Sequence, residues 1–249
     1  MRMTVFAKRN LKEMLRDKIN LAFGLGFPIV LLLLMTLINS NIPPEAGQKM
    51  FELPSLTPGV AVFGLSFIAL FSGMLIAKDR STSLLMRLFT SPMTSGDFIF
   101  GYALPLIPLG IGQVVVCVVF SVILGLDFTL ESLMIFPVIL PCVLFYIGLG
   151  LICGSIFSDK QVGGVCGALL TNLTGWLSGT WFPLDLVGGV FRKIANCFPF
   201  VHAVDACRAA FNGNYGDIFP ELWWVIGYAV ISVTVAILIF RKKMNGEKA

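Results

Sequence analysis

The charged residues of this chain leave six long intervals empty, and those intervals limit its fold more than any other feature. Lys18 to Glu45 encloses 26 residues without Asp, Glu, Lys or Arg. Glu52 to Lys78 encloses 25, Asp97 to Asp127 29, Glu131 to Asp159 27, Lys160 to Asp185 24 and Glu221 to Arg241 19. A helix needs about 20 apolar residues to cross a hydrocarbon core about 30 Å thick. The spacing therefore predicts six crossings, near 20–39, 56–77, 98–124, 133–157, 162–181 and 222–240. Backbone amides find no water in lipid, so each crossing must satisfy its own hydrogen bonds. A barrel would show alternating segments of about ten residues, and none is visible. The predicted class is an all-α polytopic membrane protein with six transmembrane helices. An N-terminal amphipathic interfacial helix covers 1–18, the transmembrane domain covers 19–249, and an outer re-entrant helical segment lies between helices five and six.

Composition excludes the alternatives. With 57% hydrophobic and 13% charged residues among 249, a soluble domain could not hide its apolar surface, and disorder is excluded for the same reason. The net charge of +4 is spread over loops, which argues against a nucleic-acid partner. With the N-terminus inside, 14 of the 18 basic residues fall on inner segments and 4 on outer ones. The positive-inside rule then places both termini in the cytoplasm, and the plasma membrane of a bacterium is the expected location. The first apolar stretch is longer than a signal-peptide core and no small-residue cleavage site follows it, so it is read as a span ended by Asn39 to Pro44. Cys117, Cys142, Cys153 and Cys166 fall inside spans, where a thiol acts as a small apolar group. Cys197 and Cys207 fall in the outer segment. A straight helix would hold them ~15 Å apart, while Pro199 can bend it, so a disulfide and two unpaired buried thiols both remain open.

Three segments outside the spans carry the chemistry. In the first, Met3, Phe6, Leu11, Met14 and Leu15 recur at helical spacing with Arg2, Arg9, Lys12 and Arg16 on the other side. This suits either a helix in the inner headgroup layer or a plain positive-inside anchor. In the second, the inner loop from Lys78 to Asp97, Leu84, Leu85, Leu88 and Phe89 form an apolar stripe with Arg87 between them. Pro92 stops that short helix, and Ser95 and Asp97 can cap the next span. A bare connector needs far fewer residues, so the loop reads as a docking element for a cytoplasmic partner or as a helix flat on the membrane. In the third, from Phe182 to Glu221, the charge-free stretch 194–204 is too short to span. His202, Asp205 and Arg208 share a helix face there; a structural Asp205–Arg208 pair is preferred to a metal site, since the chain has a single His.

These segments resemble the permease subunits of ABC-2 type exporters. Leu85-Met86-Arg87-Leu88-Phe89-Thr90-Ser91-Pro92-Met93 resembles the family's coupling segment. Ser155-Ile156-Phe157-Ser158-Asp159-Lys160 resembles its second cytoplasmic turn. Ser178-Gly179-Thr180-Trp181-Phe182-Pro183, together with Phe198-Pro199 through His202, Asp205 and Arg208, resembles its outer signature. The chain departs from the pattern at Ser83, Leu84 and Met86, and Lys78-Asp79-Arg80 stands where the family often has an acidic cluster. The resemblance implies a working unit of two permease chains, as a homodimer or heterodimer, and two ATPase subunits. It assigns ATPase coupling to Leu84, Leu85, Arg87, Leu88, Phe89, Pro92, Ser158, Asp159 and Lys160.

The chain itself is expected not to be an enzyme. It has no Gly-Lys dipeptide, hence no phosphate loop, so no cofactor is expected on it and ATP and Mg belong to the partner subunit. No metal spacing is present, and no acidic residue falls within a predicted span, which disfavours an ion-coupled carrier. The resemblance places helices two and five along a central path. Phe63, Phe67 and Phe71 form an aromatic stripe on the second, and Thr171, Asn172, Thr174 and Trp176 mark the fifth. Such a wall suits an amphipathic drug, peptide, lipid or glycan as cargo. Lipid-facing Phe and helix-bonded hydroxyls are the plainer alternative. Gly150 with Gly154 and Gly163 with Gly167 are expected to pack helices within one subunit rather than between two. A non-transporting sensor or immunity component that sequesters a toxic peptide or lipid is the rival function.

Overall fold

The computed structural model of the chain describes residues 2–42, 51–82, 84–91 and 93–246. Helix α1 (Arg2–Arg16) meets α2 (Lys18–Asn41) at Asp17, whose carboxylate caps α2 by accepting the Asn20 amide N–H at 3.2 Å. Then follow α3 (Leu53–Ser81), with Pro54 in its first turn, the short α4 (Leu84–Phe89) and α5 (Ser95–Ile123). The N-cap of α5 is Thr94 rather than Ser95. Thr94 and Asp97 close a reciprocal capping box, with the Asp97 N–H donating to Thr94 Oγ1 at 3.2 Å and the Thr94 N–H donating to Asp97 at 2.9 Å. Helix α6 (Ile135–Ile156) returns after a 3₁₀ turn over Glu131–Met134. Pro43, Pro44, Ser83 and Pro92, named above as breaks or departures, lie outside the described residues.

The run expected as the fifth crossing is composite, and it is not among the helices long and apolar enough to span by themselves. It runs as α7 (Asp159–Val162), a π-helix (Gly163–Leu170) and α8 (Thr171–Leu177) without interruption. Three of the eight π residues are glycine, which eases the wider turn, and the Thr171 hydroxyl donates to the Cys166 carbonyl five residues back at 3.1 Å. The run begins three residues before the predicted 162, because Ser158 and Gln161 form a capping box, and it stops short of the predicted 181, because Gly179 adopts φ +67°. Beyond it come α9 (Leu184–Val187), α10 (Gly189–Asn196), α11 (Pro199–Phe211), a 3₁₀ turn at Tyr215–Asp217 and α12 (Ile218–Gly246). Pro199 starts a new helix rather than bending an old one. Among the described residues five helical stretches, against the six expected, are long and apolar enough to cross a membrane: α2, α3, α5, α6 with its leading 3₁₀ turn, and α12 with its own.

Helix α3 is the centre. Burial reaches 83% of its most apolar stretch, against 17% for α2 and 22% for α12, whose remaining faces are exposed. Lipid is as apolar as leucine, so helices hold together by close fit. Helices α3 and α6 fit backbone to backbone: a Cβ on Gly150 would stand 2.0 Å from the Ala69 carbonyl oxygen, and one on Gly154 2.3 Å from that of Gly73. The Gly150–Gly154 pattern thus packs inside the chain, whereas Gly163 has open space around it.

Candidate functional site

The face bearing α1, α4 and the end of α12 carries a polar network centred on Asp79, whose side chain is 2% exposed. Arg9 reaches its carboxylate through both terminal nitrogens, one at 2.8 Å, and the Tyr102 hydroxyl donates to it at 2.8 Å. Arg9 also pairs with Glu13, which Lys78 meets at 3.1 Å. Burial works against the Arg9 charge, but Asp79 and Glu13 outweigh it and raise its pKa above the ordinary value. Neighbouring Asn10 is fully buried and donates to the Gly101 carbonyl at 3.1 Å. Phe6 sits edge-on to Tyr102 at 4.9 Å and to Phe98 at 5.6 Å. Helix α1 is therefore bolted to α3 and α5. Its expected stripe divides: Phe6 and Met14 are buried, and Leu15 is exposed. Arg80 turns to α6 and donates to the carbonyls of Gly154 at 2.8 Å and Phe157 at 3.1 Å. Lys78-Asp79-Arg80 thus serves contacts within the chain.

Helix α4 hangs from the same network. Leu85 and Phe89 point into the bundle, and Phe89 packs edge-on against Phe98 of α5 at 5.8 Å and Phe240 of α12 at 5.7 Å. Leu84 and Leu88 stay half-buried. The apolar stripe is thus largely an anchor to the bundle rather than a free face. Arg87 lies within α4, its side chain outside the described set, as is Pro92. Ser158, Asp159 and Lys160 are all exposed, and Ser158 donates through its N–H and hydroxyl to Gln161, both at 3.0 Å.

The opposite face is organised by Arg208. Its Nε donates to the Ser55 carbonyl and a terminal nitrogen to the Gly179 carbonyl, each at 3.1 Å, joining α11 to the start of α3 and the end of the fifth crossing. Asp205 stands looser, 3.8 Å from Arg208. The expected pair exists, yet the backbone contacts are the tighter ones. Burial lowers the Arg208 pKa, against the pull of Asp205. The packed surroundings of Asp205 also push its pKa up to about 6, with Arg208 opposing, although water reaches about half of its side chain, which weakens the effect. His202 is buried, stacks on Trp224 at 5.1 Å, and bonds Glu221 and the Asn196 carbonyl, the latter at 2.9 Å. Pro183 precedes α9, and Pro199 opens α11. The six cysteines are free; Cys207 is buried and Cys197 exposed.

The expected path residues separate into two groups. Phe63 and Phe71 are buried within the chain: Phe63 lies edge-on to Trp181 at 5.1 Å, and the Phe71 ring covers Gly24. Phe67 is half-buried against Phe27 at 5.1 Å. Thr174 is buried and accepts a hydrogen bond from the Tyr146 hydroxyl at 3.3 Å. Asn172 and Trp176 are exposed, and Asn172 donates to the Ala168 carbonyl at 2.8 Å; Thr171 is half-buried. Asp79, Arg9, Tyr102 and Glu221 escaped the sequence reading, because their partners lie 19 to 70 residues apart and follow no period.

A buried central helix surrounded by long apolar helices with exposed apolar faces, tied by one arginine at each end, defines a multi-pass helical membrane protein. The chain belongs to the ABC-2 type transporter family, whose sequence model matches residues 2–212. ABC transporter G family member 20 of Dictyostelium discoideum is 23% identical over 218 residues, covering 84% of this chain. The chain spans 28% of the length of that relative.

Proposed function

We propose that this chain is the permease subunit of an ABC exporter, with α1, α4 and both termini in the cytoplasm. A second permease chain and two ATPase subunits complete the unit, and an amphipathic compound is moved outward by ATP bound with Mg on those partners. The family match supports the class, and the excess of basic residues supports the orientation. The observation that carries the coupling role is the anchoring of Phe89 between Phe98 and Phe240. A force applied to α4 from the cytoplasm is delivered directly to the ends of α5 and α12, because packed rings transmit displacement rather than absorb it. The exposed turn at Ser158–Lys160 provides a second contact at the start of the composite crossing. The two inputs would move different crossings, as alternating access requires.

Co-purification tests the assignment. Arg87→Glu with Leu88→Asp should reduce recovery of an ABC ATPase subunit with the tagged chain from native membranes, while the chain still inserts. Unchanged recovery and unchanged transport would remove α4 from the coupling surface.

A further inference from the structure

The face bearing α1 holds a second feature, which meets the proposed coupling turn only at Asp159. Between α1 and the first turn of α2 lies an open cleft of about 1190 Å³, lined by Lys8, Arg9, Lys12, Arg16, Lys18 and Lys78. Two acidic residues share the lining, Glu13 and Asp17, and both are engaged: Glu13 by Arg9 and Lys78, Asp17 by capping α2. Lys8, Lys12, Arg16 and Lys18 are exposed and have no acidic partner within the chain among the described residues. Such a concentration of like charge raises the chain's own energy unless an anion occupies it.

The cleft adjoins a narrow slot that shares Glu13, Asp17 and Lys78 with it and is walled mainly by Met14, Leu21, Phe71, Met74, Leu75 and Leu106, with Asn20 and Asp159 also on its lining. Val5 and Ile19, both largely exposed, line the cleft itself. Cations at the level where α2 enters the membrane, opening onto an apolar slot between helices, match a molecule with an anionic head and a hydrocarbon tail. An acidic protein surface would satisfy the cations and leave the slot without an occupant.

We propose that this cleft binds an anionic glycerophospholipid, with the phosphate among Lys8, Lys12, Arg16 and Lys18 and the upper part of one acyl chain in the slot behind Met14 and Leu21. The lipid then braces the junction of α1 and α2 beside the Arg9–Asp79 contact. That it comes from the cytoplasmic leaflet rests on the orientation proposed above; the binding itself does not.

The test uses the full chain purified in a neutral detergent, with dioleoyl phosphatidylglycerol and dioleoyl phosphatidylcholine as probes and bound lipid counted by native mass spectrometry. Phosphatidylglycerol should be retained at least ten-fold more tightly than phosphatidylcholine. Lys8→Gln with Lys12→Gln and Arg16→Gln should abolish that preference, and each single change should weaken it roughly five-fold. The single variants keep the test decisive if the triple variant folds poorly. Leu21→Trp, which fills the slot, should weaken both lipids and leave the headgroup preference intact.

Equal retention of the two lipids overturns the proposal, as does a preference that survives the triple change. Displacement of phosphatidylglycerol by sn-glycerol 1-phosphate at equal concentration would make this a soluble-anion site and overturn it too. So would loss of an ATPase subunit from the triple variant with lipid binding unchanged, which would assign the cations to a protein partner. No leaflet and no ATPase enter the lipid measurement, so its failure and that of the exporter reading are separable.

Discussion

The two ends of the bundle are each fastened by an arginine, and by different means. At the α1 face, Arg9 holds a nearly inaccessible carboxylate, Asp79, with Tyr102 as third member. At the opposite face, Arg208 holds two backbone carbonyls, and its nearest carboxylate, Asp205, is about half exposed and 3.8 Å away. The first contact joins full charges in a poorly hydrated setting, so removing one member strands the other. The second joins a charge to dipoles, which any donor can partly satisfy. The α1 face is thus built as a fixed junction, and the opposite face as one that tolerates rearrangement.

That contrast is open to attack. Arg9→Ala leaves the Asp79 carboxylate buried with Tyr102 alone and should lower stability most, by roughly 4 kcal/mol. Asp79→Ala should cost less, about 3 kcal/mol, and the double variant much less than the sum, as a double-mutant cycle on thermal melting in detergent would read. Arg208→Ala should cost about 2 kcal/mol, and hydrogen exchange should rise around Gly179 and Ser55 while the α1 face stays protected. Equal losses at the two faces would erase the distinction. Tyr102→Phe should remove about 1 kcal/mol.

The smallest effect is a pH dependence. Asp205 has its pKa raised to about 6 in the fold, so its protonated form is favoured there, and stability falls as pH rises from about 4 through 6. Asp205→Asn should therefore gain in melting temperature relative to the parent over that window and hold the gain above it. A flat difference would show that Arg208 balances the burial.

Five of the six expected spans coincide with long apolar helices among the described residues, because a charge-free interval encodes one physical length. The helical run expected as the fifth crossing falls within a few residues of its expected bounds, but its π-helix was not foreseen, since glycines permit a wider turn without announcing it. Among candidate site residues, Pro199 and Arg208 were singled out by their resemblance to the family's outer motif, and Arg208 binds carbonyls that carry no sequence signal. The stripe of α4 was read correctly as apolar, yet which neighbour it faces depends on α5 and α12, and periodicity gives a helix a side without naming what lies against it. Asp79 fell two residues past the predicted end of its span, and Arg9 was counted with the outward basic residues of α1.

The glycine seam between α3 and α6 has a mechanical corollary. Two main chains this close, with the Ser72 hydroxyl bonded across the seam to the Ile147 carbonyl, have no cheap way to slide, so these helices travel as one lever. Whatever this protein does when it changes state, the hinges must lie elsewhere: in α2, in the widened turn of the fifth crossing, or in α12.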